Sequence, residues 1–312
     1  MKAIIFALCL LAACSDLGAQ AKNWRPSAGH IQIPIWPGSP PDAQQLPGPE
    51  IVMTARKMIA GKPVTGIYNV SRPTMTIYAP KKNSTRAAVL VFPGGGFQML
   101  AIDLEGTEAC RWLTSIGVTC VLVKYRVPSA PYRWQCKCYL DHALAESVPS
   151  LEDAERALKL IRFRAAQLHI DPHKVGVLGF SAGGFLVAEL STVFNHHLYK
   201  PIDAADKESS RPDFALAIYP GHLEYRGVLN PLLTISRDTP PTFLVQAEND
   251  YEDGVMQSLV YYIALANAQV PAELHIYAKG GHAFGLRATK LPITHWPKLA
   301  SAWLRRIGML GQ

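Results

Sequence analysis

Charge is scarce in this chain: charged residues make up 18% of 312 positions and hydrophobic residues 49%. A disordered or solvating polypeptide carries the opposite balance, so the composition predicts a packed globular protein. Basic residues are not massed either. The 31 Lys and Arg against 24 Asp and Glu leave a formal charge of +7, and the only clusters lie around Lys81, Lys82 and Arg86 and around Arg162 and Arg164. With no basic stripe and no nucleic-acid-binding motif, nucleic acid is excluded as an expected partner; the diffuse excess suits an acidic polymer surface. No apolar run reaches the roughly 20 residues that cross a bilayer, so no transmembrane span is expected. Phosphate-cradling, dinucleotide-binding and His-Glu-x-x-His motifs are missing, and no metal or other cofactor is expected. Cysteine is sparse, with 6 in all.

The first 21 residues differ from the rest. Met1 and Lys2 precede an apolar run, residues 3–13, of the size of a secretory h-region. Ala19-Gln20-Ala21 fits a small-x-small cleavage site, while Leu11-Ala12-Ala13-Cys14 is the pattern of a bacterial lipoprotein signal, with Cys14 as a lipid-anchored N-terminus. The expectation is export: residues 1–21 a leader and residues 22–312 a single domain opened by a Pro-rich segment, in the periplasm, on the outer membrane or outside the cell. Loss of the leader leaves Cys110, Cys120, Cys136 and Cys138 where disulfides form. Their pairing stays open. Cys136-Lys137-Cys138 lacks zinc-knuckle spacing, and Cys120, inside the apolar run 118–123, reads as a small buried hydrophobe.

Continuous apolar runs alternate with amphipathic stretches. Strands are predicted at 74–78, 87–92, 118–125, 174–180, 214–219, 243–247 and 274–277. Helices are predicted at 104–116, from Ser150 to about Leu168 on the capping signature of Ser150 and Asp153, at 184–190, 255–267 and 295–307. Asp103 and Glu105 read as first-turn acids that favour the helix dipole. This alternation predicts an α/β fold with a mostly parallel sheet covered by helices on both faces.

Gly179-Phe180-Ser181-Ala182-Gly183 follows a short apolar strand and opens a helix, the context in which Gly-x-Ser-x-Gly makes a nucleophile elbow. A serine nucleophile needs a base and a group that holds the base. Of ten histidines, His282 lies in the Gly-rich loop after the last strand and is the candidate base; His295 is the second choice. The acid is sought after the preceding strand. Asp250 stands three residues past it, and Asp253, which requires the loop to turn back, is the alternative acid. Charge developing on an acyl carbonyl must meet donors already in place. Pro93-Gly94-Gly95-Gly96-Phe97 at a strand end offers the N–H groups of Gly95 and Gly96, and Ala182 N–H completes the set.

Taken together, Ile35-Trp36-Pro37-Gly38, Pro93-Gly94-Gly95-Gly96-Phe97, Asp103-Leu104-Glu105-Gly106, Lys124-Tyr125-Arg126, Gly179-Phe180-Ser181-Ala182-Gly183-Gly184 and residues 280–287 resemble the α/β-hydrolase superfamily. Within it the likeness is to the secreted carbohydrate-esterase-like group, acetyl xylan esterase or feruloyl-esterase-like. The resemblance implies Ser181 as nucleophile, His282 as base and Asp250 as acid. Pro93 stands where lipase-like relatives carry His before the glycines, and Asn249-Asp250-Tyr251 stands where many relatives have Asp-Asp-Pro. The segment 128–149, with Trp134 and the Cys136/Cys138 pair, is longer than the group's pattern. The implied function is a serine esterase acting on short acyl, chiefly acetyl, esters of a plant carbohydrate met outside the cytoplasm. The alternatives are a general carboxylesterase, a prolyl-oligopeptidase-like peptidase and a non-catalytic lipid-anchored binding protein.

Overall fold

The structure is a computed structural model that describes residues 23–311 except 44, 57, 83 and 129–142, with 143–146 described in backbone only. Cys14 and the rest of the expected leader, with Trp134, Cys136 and Cys138, fall outside the described residues. In chain order the first half comprises β1 (Gln32–Pro34), β2 (Ile51–Thr54), β3 (Thr65–Tyr68), β4 (Thr74–Tyr78), β5 (Ala88–Phe92), β6 (Met99–Ala101), a π-helical turn (Ile102–Thr107), α1 (Glu108–Ser115), β7 (Thr119–Lys124) and α2 (Ala143–Phe163). There follow β8 (Val175–Phe180), α3 (Ala182–Val193), β9 (Ala215–Ile218), β10 (Glu224–Tyr225), β11 (Val228–Leu229), β12 (Thr242–Ala247), α4 (Met256–Asn267), β13 (Ala272–Tyr277) and α5 (Trp296–Arg306).

Eight strands form one sheet in the order β1-β4-β7-β5-β8-β9-β12-β13. From β7 to β13 every pairing is parallel, and β1 and β4 extend the sheet antiparallel. The unbroken apolar runs have a physical reason: β5, β7, β8, β9 and β12 are buried at every residue, as strands covered on both faces must be. α2 and α3 pack on each other, while α1 and α5 meet through the rings of Trp112 and Trp296, 5.2 Å apart.

From β5 the chain passes to β7 on one side and returns to β8 on the other, which makes the gap between β5 and β8 the switch point of the sheet. Crevices for ligands open there, beyond the carboxyl ends of the strands. The Gly94–Gly96 loop leaves β5 at this place, and Ser181 leaves β8.

The fold departs from the sequence reading at its leading strands, at Ser150 and at Cys120. The Pro-rich leading segment contributes β1, paired with β4 as Gln32↔Thr76, and β2, which with β3 and β6 makes a separate antiparallel sheet. These strands are too short to show a period of their own and take their order from their partners. The capping signature at Ser150 is not a helix start, because α2 is already formed at Ala143 and runs through Pro149. Ser150 Oγ instead donates to Arg126 O (2.9 Å), and the Asp153 carboxylate accepts from Trp36 Nε1 (2.6 Å) and Arg126 N (2.9 Å). Burial beside Arg126 thus claims the side chains whose spacing suggests a cap. Finally, Cys120 on β7 forms a disulfide with Cys110 on α1, so its role exceeds that of a small apolar filler.

Candidate active site

Ser181 follows β8 directly and adopts φ 51°, ψ −121°. This conformation costs a non-glycine residue about 1–3 kcal/mol and persists because the surroundings over-determine it. Ser181 N donates to Ile218 O (3.0 Å), and Ser181 O accepts from Gly184 N (2.8 Å). The neighbouring glycines make the turn possible: a Cβ on Gly179 would collide with the backbone of Gly183, and one on Gly183 with the carbonyl of Phe92. The result holds the serine hydroxyl clear of the sheet at the switch point.

His282 arrives from the loop after β13 and places Nε2 2.9 Å from Ser181 Oγ. Its Nδ1 faces the Asp250 carboxylate at 2.8 and 3.0 Å. Asp250, just past β12, is sealed from solvent and fixed by its own acceptors' partners. Oδ1 accepts the N–H groups of Glu252 and Asp253, each at 3.0 Å, and Oδ2 accepts Gln246 Nε2 at 3.1 Å. That curl brings Asp253 to the other side of the imidazole, with Oδ2 3.9 Å from Nε2. Asp253 therefore does not occupy the orienting position at Nδ1 that the alternative acid requires, because the turn at Asp250 carries it towards the serine. His295 precedes α5 on the surface, and His275 pairs with Glu273 at 2.7 Å.

Electrostatics follow from these distances. Burial pulls the His282 pKa down, but the hydrogen bond and charge of Asp250, with the charges of Asp253 and Glu105, outweigh it and leave the pKa raised. Burial, reinforced by Asp250 and Glu252 against the pull of His282, pushes the Asp253 carboxyl up to about 6.

The loop after β5 lies beside the elbow, with Gly95 and Gly96 both at positive φ (132° and 61°). A Cβ on Gly94 would stand 2.9 Å from Ser181 Cβ, which shows how closely the loop approaches the serine. A residue read from sequence as a first-turn helix acid anchors this loop. Glu105 is buried within the π-helical turn, where its carboxylate accepts Gly94 N (2.6 Å) and Tyr219 Oη–H (2.9 Å). Burial raises its pKa, against hydrogen bonds from Tyr219 and Gly94 that lower it. Tyr219 in turn accepts Gly285 N (3.2 Å) and sets its ring edge-on to His282, 5.1 Å between centroids. Asn249 ties the acid loop to the histidine loop by accepting Gly280 N and Gly281 N, both at 2.9 Å. Residue type and spacing do not reveal Glu105, Tyr219, Gln246 or Asn249; their only sequence signal is that Glu105 stands inside a stretch that carries the family resemblance.

Such an arrangement can pass a proton from a serine hydroxyl to an imidazole held by a carboxylate, with the backbone N–H groups of Gly95 and Gly96 on the loop after β5 and that of Ala182 at the start of α3 beside the serine. Among the described residues no group of three or more His, Cys, Asp or Glu is placed to hold a metal ion, and no helix is long and apolar enough to cross a membrane.

A family model described as BD-FAE matches residues 75–219, the stretch from β4 through the elbow to Tyr219. An acetylxylan esterase from Xylanibacter ruminicola is 28% identical over 260 residues, 75% of this chain and 48% of its own length. The endo-1,4-beta-xylanase B of Butyrivibrio fibrisolvens is 26% identical over 234 residues, 67% of this chain and 34% of its own length. The chain therefore spans about half the length, or less, of these curated relatives. The crystal structure of an acetyl ester-xyloside bifunctional hydrolase from Caldicellulosiruptor lactoaceticus superposes with a TM-score of 0.69 at 29% identity, covering 90% of this chain and 97% of that one. With a mostly parallel sheet, an elbow at its switch point and these likenesses, the chain has the α/β-hydrolase fold and is similar to acetyl xylan esterases.

Proposed function

We propose that this protein is an exported serine esterase that removes short acyl groups, chiefly acetyl, from plant polysaccharide or oligosaccharide through an acyl-enzyme at Ser181. The observation that carries the reading is the unbroken line from Asp250 through His282 to Ser181 Oγ, at 2.8 and 2.9 Å. In it His282 Nε2 takes the Ser181 proton as Oγ attacks the ester carbonyl. Gly95, Gly96 and Ala182 N–H meet the oxyanion, a contribution of about 2.7–4 kcal/mol per donor to such a step. The alcohol leaves with the proton from His282, water then attacks the acyl-enzyme by the same route, and the carboxylic acid is released with Ser181 restored. The acetyl and xylan parts rest on the likeness to an acetylxylan esterase and to an acetyl ester-xyloside hydrolase, and export rests on residues 1–21.

Cleavage of a sugar backbone has less support. Glycoside hydrolysis needs two carboxyl groups facing the substrate across a cleft, whereas Asp250 is sealed against His282.

The test is hydrolysis of p-nitrophenyl acetate, butyrate and octanoate, and release of acetate from acetylated xylan, by the leader-free protein beside Ser181→Ala. A fall of at least about a thousandfold in the variant is expected, with acetate preferred and acetate freed from xylan. Equal rates in the two proteins would overturn the nucleophile. A preference for octanoate with no release from xylan would replace the carbohydrate substrate by small lipophilic esters.

A further inference from the structure

Two carboxylates flank His282, and the serine esterase reading uses one. Asp250 has 0% of its side chain exposed and meets only protein atoms, whereas Asp253 has 18% exposed and opens onto the site. Its Oδ2 stands 3.9 Å from His282 Nε2, on the side of the ring that faces Ser181. Its carboxyl group lies over Gly221 so closely that a Cβ on that glycine would come within 2.5 Å of Oδ1. The position is held rather than incidental. The Asp253 N–H donates to Asp250 Oδ1 (3.0 Å), and the Asp253 carbonyl accepts Gln246 Nε2 (2.7 Å).

The leaving alcohol must also come to this place. His282 Nε2 delivers the proton to the alcohol oxygen, so that oxygen passes within hydrogen-bonding distance of Nε2, beside the Asp253 carboxylate. An alcohol that is only a hydrocarbon chain would strip water from that carboxylate and give nothing back, an expensive exchange for a charged group. A vicinal hydroxyl supplies the missing donor.

Resting on the serine esterase reading, we propose that Asp253 is a specificity residue that selects esters of polyhydroxy alcohols, its carboxylate accepting a hydrogen bond from the hydroxyl on the carbon next to the esterified one. With its carboxyl at about 6 the group is ionised at neutral pH and accepts at both oxygens. Loss of one hydrogen bond to a charged group corresponds to roughly a 10- to 100-fold effect.

The experiment measures kcat/KM for glycerol 1-monoacetate and for propyl acetate, which share the acyl group and chain length and differ in the hydroxyls, using the wild-type protein, Asp253→Ala and Asp253→Asn. The expected result is a wild-type preference for the glycerol ester that falls about 10- to 100-fold in Asp253→Ala and in part in Asp253→Asn, which keeps the size and one acceptor. Asp253→Asn also serves if the alanine variant does not fold. The proposal is overturned by a wild-type protein without preference, or by variants in which both esters slow equally, since the side chain then acts on Ser181 and His282 alone. An acetylated methyl xyloside separates the two readings. If it resists the wild-type enzyme while the glycerol preference falls in the variants, the sugar assignment fails and the role of Asp253 stands. If the wild type cleaves no ester, both fail.

Discussion

Glu105 offers the most demanding test of how the site is held. Its carboxylate accepts two buried donors, Gly94 N–H at 2.6 Å and Tyr219 O–H at 2.9 Å, and through them fixes the loop after β5 and the ring that abuts His282. In Glu105→Ala both donors lose their partner inside the protein. An unsatisfied buried donor costs about 1–3 kcal/mol, or roughly 2–6 kcal/mol for two. Burial itself disfavours the native carboxylate, as its raised pKa records, and removing that penalty returns part of the loss. A net destabilisation of about 2–4 kcal/mol results, which at about 2 °C per kcal/mol in a chain of this size lowers Tm by roughly 4–8 °C. Activity falls further than stability requires. With Gly94 released, the Gly95 and Gly96 N–H groups lose their aim, and kcat on p-nitrophenyl acetate drops about 10- to 100-fold well below the Tm, against the full loss of one oxyanion donor at about 100- to 1,000-fold. Thermal unfolding followed by circular dichroism and steady-state kinetics at 25 °C read the two effects separately. A variant that melts early yet keeps kcat within twofold would refute the positioning argument and leave Glu105 a structural residue alone.

Two further expectations follow from named groups. The acid limb of kcat/KM reports the neutral form of His282, whose pKa stays raised by Asp250, Asp253 and Glu105 although burial lowers it. Activity should therefore rise with pH through an apparent pKa above the ordinary imidazole value of about 6.5. Asp253→Asn removes a negative charge that favours the imidazolium, so the limb moves to lower pH; a pH-rate profile that stays in place would refute the electrostatic account. The disulfide joins Cys110 to Cys120 across 10 residues, a loop whose closure is worth about 2–3 kcal/mol in the chain-entropy account. The double variant Cys110→Ala, Cys120→Ala should lose about 5 °C in Tm at that scale while retaining esterase activity at 25 °C, and an unchanged Tm would show that the bond constrains nothing.

By itself the sequence determined the elements whose information is local. The apolar runs at 87–92, 118–125, 174–180 and 243–247 fall on β5, β7, β8 and β12, because a strand buried on both faces can carry no polar residue without a partner, and its burial is therefore written as a mostly apolar run interrupted where a partner exists, as at Lys124 with Glu50 and Gln246 with Asp250. The turn of the elbow is local as well, since a Cβ on Gly179 would meet the backbone of Gly183, whereas glycine at 183 is required by the Phe92 carbonyl of the neighbouring strand. Only the tertiary structure decided what depends on distant partners. β1 to β3 exist through pairing, not period. Ser150 and Asp153 serve Arg126 rather than a helix start, and Glu105 serves Gly94 and Tyr219, the latter 114 positions away. Two aspartates three residues apart meet opposite nitrogens of one imidazole because the carboxylate of the first curls its own loop. Spacing along a chain sets which residues share a strand or a turn of helix. Which donor meets which acceptor across the sheet is settled by packing, where a buried polar group must find a partner and takes the one that the fold brings near.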